Sequence, residues 1–493
     1  MTSITTLIIL ITLYVTLHFL IATYAYKRYK SGRSIVSNSL VYSLSITVYC
    51  TSWTYYGSVG RAATNGLDFV TIYLGPSLTA FTWWFILRKI IRISKDNNIT
   101  SIADFLSSRY SKSQFLGALI TLIAVLGIIP YIALQLKAVS TTFGIICNHP
   151  SFVIPPALRH SFAFKNPGLF FSLFISVFGI LFGARTLATQ DRHEGLVAAI
   201  AFESIVKLLA FMGVGIYVTF FLFDGFQDIF ARMGAEQPAL FNQLTTLSEN
   251  HEPGYASWAT NLFLAMGSIM LLPRQFQIMV IENSDEAHIK DAMWRFPAYL
   301  FAINIFVLPI AYAGILLSGG NKGADYFVLT IPMNTGHNWL ALLAFLGGFS
   351  AAAGMVIAES VATSTMILNH LMIPLVLRLK ITESFPALLL TLKRMSIFLV
   401  VLLGYAYSQI IGETYMLVNI GLISFTAAAQ LAPALLGALY WKRGNVTGAI
   451  AGILGGFIIW FYTLMLPSFI KSGWITSDLL EKGLFGLSIL KPT

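Results

Sequence analysis

Charged residues and cysteines are scarce in this chain, and each shortage excludes a class of protein. Only 11% of the 493 residues are Asp, Glu, Lys or Arg, whereas 56% are hydrophobic. The mean hydropathy is +0.75. A soluble domain of this length could not bury so much apolar surface, so the composition indicates a polytopic membrane protein. Two cysteines, Cys50 and Cys147, provide no disulfide framework.

Sequence signatures of enzymes are also missing. There is no GxxxxGKS/T phosphate loop, no HExxH pair, no spaced cysteine–histidine cluster and no nucleophile elbow in a strand–helix setting. The net charge of +10 comes mostly from loops rather than from a patch that could bind nucleic acid. We therefore expect no enzyme activity, no organic cofactor and no nucleic-acid partner.

What the chain does contain is a series of apolar segments long enough to cross a bilayer, roughly 20 residues each. They predict a single transmembrane domain over residues 1–493 with about twelve spans, near 4–26, 36–60, 67–88, 114–146, 168–186, 195–225, 257–282, 294–318, 339–375, 391–411, 415–441 and 446–466. The first segment lacks the basic region and cleavage site of a signal peptide, so we interpret it as a retained helix. Because the tail from Ile470 is weakly amphipathic and ends abruptly, a thirteenth span could be missing.

Basic residues predict the orientation of these spans. Clusters such as Lys27–Arg28, Arg88–Lys89 and Lys442–Arg443 follow odd-numbered spans. The positive-inside rule makes that side cytoplasmic, which puts the N-terminus outside.

The second span has a composition that a lipid-facing helix would not have. Its stretch Thr47–Gly60, TVYCTSWTYYGSVG, combines hydroxyl side chains, four aromatic residues and two glycines. A loosened helix survives in hydrocarbon only inside a protein or along a watery cavity, because its backbone polar groups must be satisfied. This stretch is therefore a candidate binding site at membrane depth.

Five strings in order along the chain resemble the sodium:solute symporter family: YCTSWTYYGSVG, SIADFLSSRY, TQDRHEG, LLPRQFQ and LAPALLGALYWKRGNVTGAIAGILGG. TQDRHEG and LLPRQFQ look most like the transporter-type membrane module of CbrA-type bacterial sensor histidine kinases. The resemblance implies an all-α, leucine-transporter-type fold with two inverted five-helix repeats, spans 2–6 and 7–11, plus additional helices. It also implies a bacterial inner membrane location. In such folds the solute and ion bind near the midplane, where the first helix of each repeat is broken; here Gly57 and Gly60, and Gly267 and Pro273, are candidates for the breaks.

The resemblance implies a solute site around Trp53, with Thr51 and Ser52 beside it. Tyr131 resembles an aromatic residue that lines the same cavity, and Gln135, four residues on, shares its helix face. The alternative interpretation is ordinary helix packing, in which small and hydroxyl residues are common.

The ion site is where the chain departs from the family pattern. The resemblance implies a sodium site made by the backbone carbonyls of Thr47 and Cys50, with ligands from the ninth span at Ser350, Ala353 and Gly354. Sodium prefers hard oxygen ligands, but the last two positions lack hydroxyls. Sodium and proton coupling therefore both remain open. Asp191 resembles the family's aspartate at the inner mouth of the ion path, although a solvated cluster with its basic neighbours is an equal alternative.

Four other charged residues lie inside apolar segments. Glu359, in the ninth span, is a functional hypothesis because carboxylates in membrane helices are costly, and it could carry a proton in place of sodium; the alternative is a paired or hydrated residue near the cytoplasmic end. The i,i+4 spacing of Glu203 and Lys207 favours a structural ion pair. Arg274 could face a substrate carboxylate, but we favour snorkelling to the inner surface.

Two functions follow as alternatives. The first is a symporter that moves a small polar solute, plausibly an amino acid, by alternating access and is coupled to sodium or protons. The second is a solute-sensing module of the lipid bilayer that signals to a histidine kinase in cis or in trans.

Overall fold

The computed structural model describes residues 2–153, 161–184, 193–246, 254–380, 385–410, 417–475, 477–483 and 492. Asp191 lies outside these ranges. Within them the regular structure is helical except for two two-residue strands, β1 (Thr2–Ser3) and β2 (Phe152–Val153). They pair in parallel, with Thr2 opposite Phe152.

The described part of the chain up to residue 246 forms twelve helices of very different lengths. Their bounds are α1 Ile4–Lys30, α2 Ser39–Ile46, α3 Ser58–Asn65, α4 Thr71–Ala80, α5 Ile86–Asp96, α6 Ile102–Arg109, α7 Gln114–Asn148, α8 Phe162–Lys165, α9 Pro167–Gly183, α10 Glu194–Tyr217, α11 Phe226–Glu236 and α12 Pro238–Thr245. Short 3-10 segments cover Thr47–Tyr49 and Gly66–Val70, and π-helical turns cover Trp53–Gly57 and Val218–Leu222.

The second half also mixes long and short helices. Its helices are α13 Gly254–Leu271, α14 Pro273–Phe276, α15 His288–Asn304, α16 Val307–Ser318, α17 Phe327–Asn334, α18 Asn338–Ile367, α19 Ile373–Arg378, α20 Phe385–Ile410, α21 Leu417–Ala429, α22 Ala432–Tyr440, α23 Val446–Trp460, α24 Leu466–Lys471 and α25 Leu479–Lys482. A 3-10 turn covers Ala324–Tyr326, and π-helical turns cover Gln277–Ile281, Leu368–Met372 and Phe461–Met465.

Among the described residues, eight helices are long and apolar enough to cross a membrane, and a ninth span is formed if the bent pair Gly254–Leu271 and Pro273–Ile281 counts as one. The other three predicted spans coincide with shorter helices: α2 with α3, α4 with α5, and α9. Breaks divide the first two of these segments, whereas α9 is one continuous helix of 17 residues.

The core is centred on α18. In its most apolar window 89% of the residues are buried, against 22% for α1 and 17% for the segment that contains α23. Helices α1 and α23 instead expose large apolar side chains such as Leu13 and Ile459, as lipid-facing helices do. The sequence of α18 suits the central position because runs of Ala and Gly permit close helix approach.

The segment after the α13–α14 pair contains acidic residues, including Glu286, on the side that is predicted to be cytoplasmic. Glu286 accepts hydrogen bonds from Arg92 at 2.7 Å and from Arg88 at 3.1 Å. These two guanidinium groups lower the pKa of Glu286 to about 2. The acidic residue therefore holds the basic loops of this side together, and it does not contradict the predicted cytoplasmic side.

Candidate functional site

The first break lies in the second predicted span. Helix α2 ends at Ile46, Thr47–Tyr49 form a 3-10 turn, and Cys50 is extended with φ −79° and ψ 100°. The helix resumes at Trp53. The prediction of a loosened helix is confirmed.

The cause of this break differs from the predicted one. Gly57 has helical φ and ψ of −63° and −27°, and Gly60 lies within α3. The chain breaks instead at hydroxyl residues, whose side chains offer the backbone alternative hydrogen bonds. The Thr51 hydroxyl accepts a bond from the Trp53 N–H at 3.2 Å, and the Gln135 carbonyl oxygen accepts one from the Ser52 N–H at 2.9 Å.

The second break separates α13 from α14, which meet at an angle of 52°. Leu272 is extended with ψ 132°, and Pro273 is the first residue of the following helix. Proline suits this position because it has no N–H to leave unsatisfied there. Gly267 lies inside α13 and takes no part in the break.

A buried polar layer joins the two breaks through α7. The Tyr131 hydroxyl lies 2.9 Å from the Thr51 hydroxyl, and the Gln135 amide also donates to the Tyr131 carbonyl at 3.4 Å. From the second break, Arg274 stacks over the Tyr131 ring at 4.7 Å. The structure thus brings together Thr51, Ser52, Tyr131 and Gln135, the polar members of the predicted solute site.

Arg274 is anchored by the central helix. Its Nη1 donates to Glu359 Oε2 on α18 at 3.0 Å, and both side chains are fully buried. The interpretation of Arg274 as a snorkelling residue is therefore wrong, because the protein interior surrounds it. Glu359 is paired, as the alternative interpretation expected, and its partner is the buried Arg274.

Several atoms of this layer keep unused hydrogen-bonding capacity. The atoms are Ser52 Oγ, Arg274 Nε, Arg274 Nη2, Gln275 Oε1 and Glu359 Oε1, none of which has a hydrogen-bond partner among the residues that the structure describes. Buried polar groups in native proteins are nearly always paired with protein, water or a ligand. Both donors and acceptors are available here, which is what a small polar or zwitterionic molecule needs.

Trp53 separates this layer from an outer cleft. Its ring contacts Phe425 of α21 at 4.8 Å and Tyr131 at 6.2 Å, measured between ring centroids. This small cleft is lined by residues that include Trp53, Leu422 and the ion pair of Arg61 and Asp68. The indole is therefore the boundary between the buried layer and the predicted outer side.

The segment between α16 and α17 covers the same end, which is predicted to face outside. The Asp325 carboxylate packs directly against Gly60, where an added Cβ would lie 1.7 Å from Oδ1. The other oxygen of Asp325 accepts a hydrogen bond from the Leu417 N–H at the start of α21, at 3.4 Å. Burial raises the pKa of this carboxyl group to about 6. Asp325 thus connects this segment to both α3 and α21, and sequence reasoning missed it.

The residues of the predicted sodium site have other partners. The carbonyl oxygens of Thr47 and Cys50 accept hydrogen bonds from Lys207 Nζ at 2.7 and 2.6 Å. Ser350 donates its hydroxyl proton to the Glu203 carbonyl at 3.0 Å.

Glu203 and Lys207 each have other partners in place of the predicted ion pair. Glu203 Oε1 lies 3.2 Å from His18 Nε2 of α1. Its Oε2 lies against Gly354, where an added Cβ would be 2.0 Å away. Both side chains face inward at membrane depth, and charged residues inside apolar spans were the sequence signal that pointed to them.

The comparisons with known proteins fit this geometry. Residues 28–145 match the model of the sodium:solute symporter family. Among solved structures, a Na⁺-coupled sialic acid symporter in its substrate-bound outward-open state superposes with a TM-score of 0.67 at 15% identity, over 95% of this chain and 98% of that one. This likeness and the two broken helices identify the fold as the leucine-transporter type.

Relatives named as symporters match over most of the chain. The uncharacterized symporter YhjB of Bacillus subtilis is 26% identical over 82% of this chain and 76% of its own length. Sodium/proline symporter 2 of Staphylococcus saprophyticus is 24% identical over 92% and 84%, and the osmoregulated proline transporter OpuE of Bacillus subtilis is 23% identical over 84% and 79%. These matches support the resemblance to sodium:solute symporters and the assignment as a multi-pass membrane protein. They do not show the predicted closeness to the membrane module of a sensor histidine kinase.

Proposed function

We propose that this chain is a secondary transporter that moves a small polar solute across the membrane by alternating access. The observation that carries the proposal is the buried polar layer that joins two facing helix breaks. Broken helices turn free backbone groups toward a midplane site and supply hinges around which one half of the protein can rock. The named relatives are symporters, which agrees with this assignment.

The solute that suits this layer carries a carboxylate and a hydrogen-bond donor. Two nitrogens of Arg274, Nε and Nη2, have no hydrogen-bond partner among the described residues, and a guanidinium binds a carboxylate in a planar, two-point geometry. Ser52 Oγ, Gln275 Oε1 and Glu359 Oε1 can accept bonds from an amino group or a hydroxyl. Amino acids fit this description, and two of the relatives are named as proline transporters.

Uptake by purified protein in liposomes tests the proposal. Radiolabelled L-proline is the first probe, followed by the other common amino acids, each with an imposed sodium gradient or pH gradient. We expect concentrative uptake that Gln135→Leu abolishes, because this change removes the acceptor for the Ser52 N–H. Gln409→Leu is the matched control, since Gln409 is exposed on α20 and should leave uptake unchanged.

The same experiment separates transport from sensing. Saturable solute binding without accumulation under either gradient would refute transport and favour the solute-sensing module. No contact in the part of the chain that the structure describes, and none of the relatives named above, favours a histidine kinase partner.

A further inference from the structure

A groove lies between α22 and α23, away from the buried polar layer. Pro433 and Ala434 form part of one wall, and Gly448, Ala449 and Gly452 form the other. The groove has a volume of about 320 Å³, which is within the range of small-molecule sites, about 300–1,000 Å³. None of the residues assigned to the solute in the proposed function lines it.

The shape of the groove is a wedge. At its deep end α23 is held closely, because the Trp460 indole N–H donates to the Ile423 carbonyl at 2.7 Å and an added Cβ at Gly456 would clash with Gln430 Oε1. Nearer the turn 441–445, an added Cβ at Gly452 would meet no described atom within 4 Å apart from its own helix. The groove is therefore closed at depth and open toward the turn.

The end of α22 is fixed to α5 and α6. The Lys89 ammonium donates to the Leu439 carbonyl at 2.7 Å, and the Arg109 guanidinium donates to the Ala438 carbonyl at 3.2 Å. These bonds satisfy carbonyls that the end of a helix leaves without partners. They also place the open end of the groove on the side of the basic loops that Glu286 holds together, which is the predicted cytoplasmic side.

Two basic residues at the mouth of the groove have no counter-charge within the chain. Lys442 and Arg443 are exposed in the turn between the two helices, and Arg443 lines the groove. Neither forms an ion pair with a residue that the structure describes. The described residues of the lining include no Asp or Glu. The mouth therefore offers positive charge to an anion from outside the chain.

The groove opens where a membrane surface is expected. Tyr440 and Trp441, which precede the basic pair, are exposed, and aromatic residues of this kind are enriched at membrane–water interfaces. The segment that contains α23 is the least buried of the eight described membrane-length helices. Acyl chains of the bilayer thus lie beside the walls, and lipid headgroups lie at the mouth.

We propose that this groove binds one anionic phospholipid, with its phosphate at Lys442 and Arg443 and one acyl chain between α22 and α23. Basic pockets between membrane helices on the cytoplasmic side bind such headgroups. A phospholipid matches both parts of the groove because one molecule supplies an anion for the mouth and an apolar chain for the walls. Inorganic phosphate would match only the mouth. The inference concerns a second site and does not depend on the transport function.

Quenching by brominated lipids tests the site, because Trp441 lines the groove. Purified protein is reconstituted in phosphatidylcholine vesicles that contain increasing fractions of brominated phosphatidylglycerol or, in parallel, brominated phosphatidylcholine. The Trp441 signal is the difference between the wild type and Trp441→Phe. We expect phosphatidylglycerol to quench this signal at lower mole fractions than phosphatidylcholine. Equal quenching by the two lipids would overturn the proposal.

The charge at the mouth is tested by Lys442→Gln combined with Arg443→Gln. We expect the preference for phosphatidylglycerol to fall by about fivefold for each residue, which is the usual contribution of a basic side chain near an anionic membrane surface. Arg378→Gln with Lys380→Gln is the matched control, because these residues are exposed in another basic loop and do not line the groove. An equal loss of preference in the control pair would show general surface attraction and would refute a site.

The walls are tested by Gly452→Leu, which fills the groove. Gly455→Leu is the matched control, since its added Cβ also meets open space on α23 but Gly455 does not line the groove. We expect Gly452→Leu to remove the preferential quenching and Gly455→Leu to retain it, with both variants as stable as the wild type. Full preference in Gly452→Leu would contradict the position of the acyl chain.

Two other occupants would give different results. Equal quenching by both lipids, together with binding of inorganic phosphate that the Lys442 and Arg443 changes abolish, would identify a site for free anions. Protection of Trp441 from both lipids, together with a dimer in light scattering that Gly452→Leu dissociates, would identify an interface with a second copy of the chain. Either result would overturn the lipid site.

Discussion

The ion pair between Arg274 and Glu359 allows a quantitative prediction about stability. Its charged atoms are 3.0 Å apart and both side chains are fully buried. Removal of one partner leaves an uncompensated charge in the protein interior, which costs about 3–5 kcal/mol, whereas replacement of both by uncharged residues of similar size is often close to neutral. We therefore expect Arg274→Met and Glu359→Gln each to destabilise the protein by about 3 kcal/mol or more.

The double variant decides whether this reasoning is right. Arg274→Met with Glu359→Gln should be less destabilised than the sum of the single variants by about 2 kcal/mol, because neither charge is left alone. The assay is reversible unfolding in mixed detergent micelles without added solute, followed by tryptophan fluorescence. Arg232→Met is the control, since Arg232 pairs with Asp228 in a solvent-screened surface bridge whose loss should change stability little. Single-variant effects that add within about 0.5 kcal/mol would show that the two charges are not coupled.

Three further predictions concern close contacts and pH. Gly354→Ala places a Cβ 2.0 Å from Glu203 Oε2 and should lower the free energy of unfolding by about 1–3 kcal/mol. Adding Glu203→Ala should recover part of this loss in the same unfolding assay. If no stability is recovered, the contact between the two positions is contradicted. Gly421→Ala places a Cβ 2.9 Å from the Trp53 ring, so α21 should move outward and solute affinity should fall, as measured by equilibrium binding of the transported amino acid. Because the pKa of Asp325 is raised to about 6 from its usual 3.8, the native state binds the proton more tightly than the unfolded chain. The resulting stability of about 3 kcal/mol is fully present below about pH 4 and is lost as the pH rises through about 6; a melting temperature measured from acidic to neutral pH should fall in the wild type and change less in Asp325→Asn.

The apolar segments made the class of the protein and most of the helices predictable, because burial in lipid requires long uninterrupted hydrophobic runs. The break in the second span was predictable from the unusual residues of Thr47–Gly60. Its position was not, because glycine content points to Gly57 and Gly60, whereas the Thr51 hydroxyl and the Gln135 side chain provide the hydrogen bonds that replace those of the helix.

The partners of buried charges were beyond sequence reasoning. An i,i+4 spacing predicts that Glu203 and Lys207 pair, but contacts from other helices compete with a neighbour on the same helix. Here Lys207 binds the carbonyls of the break and Glu203 contacts His18. Arg274 shows the same difficulty, since its partner Glu359 is 85 residues away and nothing local identifies it.

That separation has a consequence for how the protein is made. Arg274 leaves the ribosome 85 residues before Glu359. At about 5–20 residues per second, the guanidinium waits about 4 to 17 s for its counter-charge. During that interval a membrane-buried arginine is unfavourable by about 2.5–3.5 kcal/mol. The segment that contains Arg274 therefore remains less favourable in the membrane until α18 supplies Glu359, while α19–α25 are still to be made.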